Sequence, residues 1–258
     1  MDLHIKDQLF IVCGATSGFG RSVAETLAGE GAHVIAIARR NEKLKELSLK
    51  YPHQITAVCC DITEEGAINE VIKAIDNRPL HGMLVNAGGP PAMTVLETTL
   101  ENWDSAYKTV LRWKIDLTQR LVPKMIENKY GRLLYIESAA VKQPIADLVL
   151  SNSLRLAVVG YVKSLSQEIA AEGVTLNVLA PGFHATAAME RIFNKKKEQE
   201  GISREEAMKQ SISQTSVGFI GDPDDLASLA TWLLSPHSRF ITGQTISVDG
   251  GAIKAVMG

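Results

Sequence analysis

The chain has little cysteine: Cys13, Cys59 and Cys60 are the only three in 258 residues. Three thiols build no disulfide framework, and their spacing matches no metal-ligand pattern. They fall in apolar, strand-like runs, so buried free thiols in a reducing, cytoplasmic setting are expected. Long hydrophobic runs are also missing. None approaches the ~20 apolar residues that span a bilayer. The opening MDLHIKDQLFIVCGA has no basic segment followed by a long apolar one, so no secretion signal is expected. Charge of one sign is absent too. Twenty-seven Lys and Arg against 29 Asp and Glu leave a net charge of −2, which gives no global pull toward nucleic acid or an anionic membrane. Internal repeats, low-complexity segments and long linkers are not found, so residues 1–258 read as one domain.

Hydrophobic residues make up 45% of the chain, sufficient for a buried core. Short β-branched runs alternate with amphipathic stretches. Strands are expected at Gln8–Cys13, His33–Ala38, Gln54–Cys59, Gly82–Val85, Arg132–Glu137, Thr175–Leu179 and Thr245–Val248. Helices are expected at Gly18–Glu30, Glu42–Lys50, Glu64–Asn77, Leu100–Asn128 (broken or kinked near Pro123), Ser153–Glu172 and Asp224–Leu234. Short apolar runs bounded by Gly, Pro and Asp suit strands buried on both faces of a parallel sheet. The alternation predicts right-handed βαβ units. The fold class is therefore α/β, a single-domain Rossmann-type doubly wound parallel sheet with helices on both faces.

Gly14-Ala15-Thr16-Ser17-Gly18-Phe19-Gly20 lies between the first strand and the first helix. Glycines there allow a tight turn and close approach to a pyrophosphate, and the helix N-terminus offers free N–H groups and a favourable dipole. An acidic residue ending the second strand would hydrogen-bond ribose hydroxyls and repel a 2′-phosphate. That strand ends instead at Ala38-Arg39-Arg40. A guanidinium fork suits a phosphate, so NADP(H) is preferred over NAD(H). Two exposed arginines opening the next helix remain the plain alternative.

Together these motifs resemble the short-chain dehydrogenase/reductase family over essentially the whole chain. Cys13 through Gly20 is similar to its glycine motif, with Cys13 in place of a threonine. Asp61-Ile62 resembles its adenine-contacting pair, and Asn86-Ala87-Gly88 its Asn-Ala-Gly after the fourth strand. Pro181-Gly182 resembles the segment near the nicotinamide, with Thr186 placed against the carboxamide. Asp249-Gly250-Gly251 resembles the family's ending. The resemblance implies hydride transfer between nicotinamide and a carbonyl or alcohol carbon. A tyrosine would move the proton, a lysine lower its pKa, a serine polarise the substrate oxygen, and an asparagine hold a relay water.

No Tyr-x-x-x-Lys exists in the chain. By the family's spacing Ser138 keeps the serine, Ser151 takes the tyrosine's place, Arg155 the lysine's, and Val110 the asparagine's. A serine hydroxyl is a far weaker acid than a phenol, and a guanidinium stays charged and cannot shuttle protons. Neither Tyr107 nor Tyr161 restores the motif. Tyr161 lies ten residues beyond Ser151, about 15 Å along a helix. Arg155 can still bind the nicotinamide ribose, a substrate carboxylate or an oxyanion, and Ser138 and Ser151 can bind a carbonyl oxygen. Glu137 is a candidate proton donor or else pairs away from the site. His184 is a candidate acid/base or else a plain loop histidine. Gly89-Pro90-Pro91 is a stiffened loop bordering the cleft or a rigid surface turn.

Three readings follow. The first is an NADP(H)-dependent reductase of a small carbonyl or 3-oxoacyl-type substrate working through a rearranged site. The second is a catalytically silent dinucleotide-binding sensor or scaffold, and the third a non-redox enzyme on the same fold. The charged Thr186–Gln214 stretch, with Lys195-Lys196-Lys197, is expected to be a helical substrate lid. Leu154, Leu156, Val158, Val159, Val162 and Leu165 make their helix apolar on more than one face. A homo-oligomer, by resemblance a tetramer, is expected.

Overall fold

Most of the short apolar runs become strands whose alternate side chains enter different cores. The computed structural model describes residues 1–187, 189–190, 193–194 and 201–256. Its seven strands are Leu9–Cys13 (β1), His33–Ala38 (β2), Ile55–Cys59 (β3), Leu80–Val85 (β4), Gly131–Ile136 (β5), Val174–Pro181 (β6) and Thr245–Val248 (β7). They pair in the order β3-β2-β1-β4-β5-β6-β7, every neighbour parallel.

Phe10 and Val12 of β1 enter one core with Val23 and Leu27 of helix α1 (Gly18–Gly29), Leu44 of α2 (Asn41–Lys50) and Leu233 of α8 (Pro223–Leu234). Leu9, Ile11 and Cys13 enter the other, with Val71 of α3 (Ala67–Ile75), Leu117 of α5 (Trp113–Glu127) and Val158 of α6 (Val149–Ile169). Two-sided burial explains why β1, β2, β4, β5 and β6 read as continuous apolar runs, whereas the edge strands β3 and β7 are only partly buried. Strand order reverses between β1 and β4, so a crevice opens beyond their carboxyl ends, where ligands of such sheets bind.

Three local expectations are corrected. α5 runs unbroken through Pro123. That proline and Gln119, whose carbonyl it leaves without a donor, are both exposed, so water replaces the lost bond. The irregularity lies earlier, where Lys108–Arg112 forms a π turn between α4 (Leu100–Tyr107) and α5. There the Trp113 indole N–H donates to the Thr109 carbonyl at 2.9 Å and stabilises the extra residue. Cys59 is exposed and Cys60 half-buried, and only Cys13 is a buried thiol. Finally, α6 begins at Val149, four residues before the expected start, so Ser151 lies in its first turn. Of the expected lid, Arg204–Ile212 is helical (α7). Lys195-Lys196-Lys197 lies outside the described residues.

Candidate active site

The glycine turn is held open by a few close contacts. Gly14 has φ +70°, and a Cβ there would stand 2.8 Å from the Asn86 amide nitrogen. A Cβ on Gly20 would collide with the Gly14 carbonyl, so both positions demand glycine. Asn86, just past β4, donates to the Cys13 carbonyl at 3.3 Å and ties the two strands at the reversal point. Ser17 caps α1 with an extended backbone but no side-chain hydrogen bond, so the first-turn N–H groups face the crevice unpaired by a cap. Arg40 lies over this turn, donating through Nη2 to the hydroxyl and the carbonyl of Thr16, both at 3.0 Å. Arg39 stands 3.5 Å from Asp61. Partial burial opposes ionisation of Asp61, but the Thr63 hydroxyl and N–H, together with Arg39, hold its carboxyl below the usual range.

Other expected residues border the same crevice. The Phe19 ring meets the His184 ring edge-on at 5.0 Å. The Thr186 methyl would lie 3.3 Å from a Cβ on Gly18. Pro181 ends β6, and Gly182 donates to the Val248 carbonyl at 3.0 Å. Ile62 and Ala87 pack partly buried against the second core. A Cβ on Gly88 would meet nothing within 4 Å, which leaves room along that strand end. His184 is buried, with Nδ1 3.3 Å from the Gly182 carbonyl. Burial pushes its pKa down. It packs the glycine turn, as a plain loop histidine would.

Beyond β5 a chain of side chains runs from the interior toward the crevice. Ser151 and Arg155 are four residues apart on α6 and share one face. Arg155 donates through Nε to the Ser151 hydroxyl at 3.1 Å. Its Nη1 donates to the Glu137 carbonyl at 3.1 Å and the Glu137 carboxylate at 3.0 Å. The other Glu137 oxygen accepts from Lys114 of α5. Ser138 caps the short turn after β5, its hydroxyl accepting from the Ala140 N–H at 3.2 Å. Lys114 and Glu137 are essentially inaccessible. Burial, with Arg155 adding to it, drives the Lys114 pKa below the lysine range against the pull of Glu137. Both Glu137 oxygens are engaged by cations, so it pairs internally and anchors Arg155.

Lys114 was missed in the sequence, although a signal existed. It interrupts the stripe Val110, Leu117, Leu121 and Met125, all buried, and Glu137 follows directly on β5, in line with the buried Leu133 and Tyr135. Two opposite charges, each alone in an apolar stripe, ask for each other. Val110 is buried in the π turn, and Tyr107 is 45% exposed, outside the cluster. Among the described residues no group of three or more His, Cys, Asp or Glu could hold a metal ion. A cavity of about 390 Å³ lies elsewhere, lined by Pro79, Leu80, His81, Asn128 and Tyr130 at the start of β4 and the end of α5.

A parallel sheet with a glycine turn at its order reversal defines a dinucleotide-binding α/β protein of the doubly wound class. Within that class the chain belongs to the short-chain dehydrogenase/reductase family. The family model described as enoyl-(acyl carrier protein) reductase matches residues 14–252. The 3-oxoacyl-[acyl-carrier-protein] reductase FabG of Aquifex aeolicus is 28% identical over 257 residues, covering 97% of this chain and 99% of the relative. The FabG of Rickettsia felis is 30% identical over 252 residues, covering 97% and 99%. The structure of L-sorbose reductase from Gluconobacter frateurii, complexed with NADPH and L-sorbose, superposes with a TM-score of 0.92 at 23% identity, covering 99% of this chain and 100% of that one. That last likeness concerns the fold.

Proposed function

We propose that the chain is an NADP(H)-dependent reductase of a small carbonyl or 3-oxoacyl-type substrate, acting through a catalytic set of Ser138, Ser151 and Arg155. The observation that carries this reading is the glycine turn, kept open by Gly14 and Gly20 beneath an uncapped helix N-terminus. The turn leaves the first N–H groups of α1 without a side-chain cap, where a pyrophosphate can accept from them. The residues fit the group. The turn from Gly14 to Gly20 would take the pyrophosphate, with Thr16, Ser17, Gly18 and Phe19 along it. Arg39 and Arg40 would take the 2′-phosphate, and Asp61-Ile62 the adenine. Asn86, Ala87, Gly88, Pro181, Gly182 and Thr186 would border the nicotinamide half, where Arg155 can reach a ribose hydroxyl. When bound, the nucleotide supplies the hydride.

The chain's own residues do the rest. The Ser138 and Ser151 hydroxyls and the Arg155 guanidinium bind the substrate oxygen and stabilise the negative charge that develops on it. An arginine holds its proton, so the alkoxide is protonated by water through the serine hydroxyls. Without an acid of matched pKa, turnover is expected to be about 10²-fold or more below that of a relative with a tyrosine. The Ser151 hydroxyl already accepts from Arg155 Nε. That bond leaves the Ser151 proton free, but the lack of any Tyr-x-x-x-Lys favours, as a second reading, a dinucleotide-binding sensor or scaffold without turnover.

The test is a nicotinamide-fluorescence titration followed by a carbonyl panel. NADPH is expected to bind at least tenfold more tightly than NADH, with Arg40→Ala removing most of the difference. No binding of either nucleotide would sink the reductase reading. Binding without turnover of any carbonyl would leave the sensor. We propose further a cytoplasmic homotetramer with residues 186–214 as a substrate lid.

A further inference from the structure

We infer that the site takes an anionic carbonyl substrate, one with a carboxylate or equivalent anion close to its carbonyl, and that Arg155 is the anchor for that charge. The carbonyl part rests on the reductase reading above; the anion site does not.

The first argument is charge balance. Among the described residues Lys114 and Arg155 form salt bridges with one and the same carboxylate, Glu137. Two cations share one anion, in a place where Lys114 is 1% and Arg155 7% exposed. A buried charge without a partner is costly, so the cluster as it stands favours a further anion. The second argument is direction. Arg155 spends Nε on Ser151 and Nη1 on the Glu137 carbonyl and carboxylate. Nη2 is left over. It points toward the loop after β4, 3.3 Å from where a Cβ of Gly89 would be. Beside it Gly88 borders open space. The guanidinium is thus fixed through Nε and Nη1 and keeps Nη2 for a charge-assisted hydrogen bond to one carboxylate oxygen.

The third argument is volume. Position 151 carries a serine where the family's spacing places a tyrosine. A serine side chain is smaller than a tyrosine ring, so position 151 takes up less of the space beside Arg155 than the family's residue would. Lys114 and Arg155 both lean on the single Glu137 carboxylate, which leaves the cluster short of an anion. An anion at Nη2 would relieve that shortage. Arg155 is therefore more than a substitute for a ribose-binding lysine. Glu137 and Lys114 act as positioning residues behind it.

The experiment is calorimetric titration of the full chain saturated with NADP⁺, so that nothing is reduced. The probes are 2-oxobutanoate, acetoacetate and phenylpyruvate, each paired with its methyl ester. At least one acid is expected to bind tenfold or more tightly than its ester, and Arg155→Gln to erase that preference, with Arg155→Lys retaining part of it. Near-ultraviolet circular dichroism checks that each variant is folded. Should the variants not fold, the acid–ester comparison on the unmodified chain decides alone. Equal affinity for acid and ester in all three pairs would overturn the inference, as would an undiminished preference in folded Arg155→Gln. Displacement of NADP⁺ by the acids would overturn it too, because the acids would then occupy the nucleotide's own place rather than a separate anion site. The same titration without nucleotide separates the two claims. Acid preference in a chain that binds no nucleotide would sink the reductase reading and leave the anion site standing.

Discussion

Glu137 and Lys114 are both buried and charged, yet their removal should have opposite consequences. Glu137→Gln leaves two buried cations facing a neutral amide. Breaking a buried pair in this way typically costs about 3–5 kcal/mol, and a urea unfolding curve should show a loss of that size. Lys114→Met leaves Glu137 paired with Arg155 at 3.0 Å and puts a side chain of similar length into an apolar stripe. Its cost should stay within about 1 kcal/mol. Equal losses for the two variants would mean that the excess charge is not there. His81 makes a separate prediction. Its Nδ1 accepts from the Leu9 N–H at 3.0 Å, tying β4 to β1. Burial pushes its pKa down, as it does for His184. Over the window between the folded value and about 6.5, the unfolded chain then binds more protons, so stability rises with pH and falls on acidification. Melting temperature should drop as pH falls below about 6.5. His81→Asn, which keeps an acceptor near Nδ1 but does not titrate, should flatten that slope in a thermal scan.

At the scale of elements, the parts legible in the sequence were those whose cause is local. Phe10 and Val12 alternating with Ile11 and Cys13 read as a strand because each side chain had an apolar place to go, whichever face it took. Gly14, Gly18 and Gly20 read as a turn because position and residue type agree. The π turn at Lys108–Arg112 was not legible. It depends on the Trp113 indole reaching back to Thr109, a choice of the folded state that no propensity states. Pro123 misled for the complementary reason: a helix breaker on an exposed face costs only the bond that water replaces. Pro123→Ala restores that bond and should therefore raise stability by about 1–3 kcal/mol in urea unfolding. At the crevice, Gly20→Ala should do the reverse. Its Cβ cannot share space with the Gly14 carbonyl, so the turn must shift. NADPH affinity should fall at least tenfold, while far-ultraviolet circular dichroism stays unchanged.

The whole molecule presents apolar surface where one chain offers no partner. Leu100 and Tyr107 of α4 are 78% and 45% exposed, and Leu156 of α6 is 51% exposed. The sequence signalled this through the apolar residues scattered around α6. Val158 and Val162 went into the core, while Leu156, two positions before Val158, was left outside. Its neighbour Arg155 points inward to Glu137, so α6 places the anchor of the site one residue from that outer face. If copies of this chain pair through α4 and α6, each association holds the two helices, and hence the Ser151–Arg155 pair, in position. Burying one leucine is worth about 1.5–3 kcal/mol, and a two-fold contact counts each substitution twice. Leu100→Glu combined with Leu156→Glu should therefore reduce the assembly to smaller species at micromolar concentration in sedimentation velocity. NADPH affinity should survive, because the glycine turn lies on β1 and α1. Binding of carboxylate probes should weaken, because the α6 that carries Arg155 has lost its support. A chain that already sediments as a monomer before substitution would refute the assembly, and the exposed leucines would then need another partner.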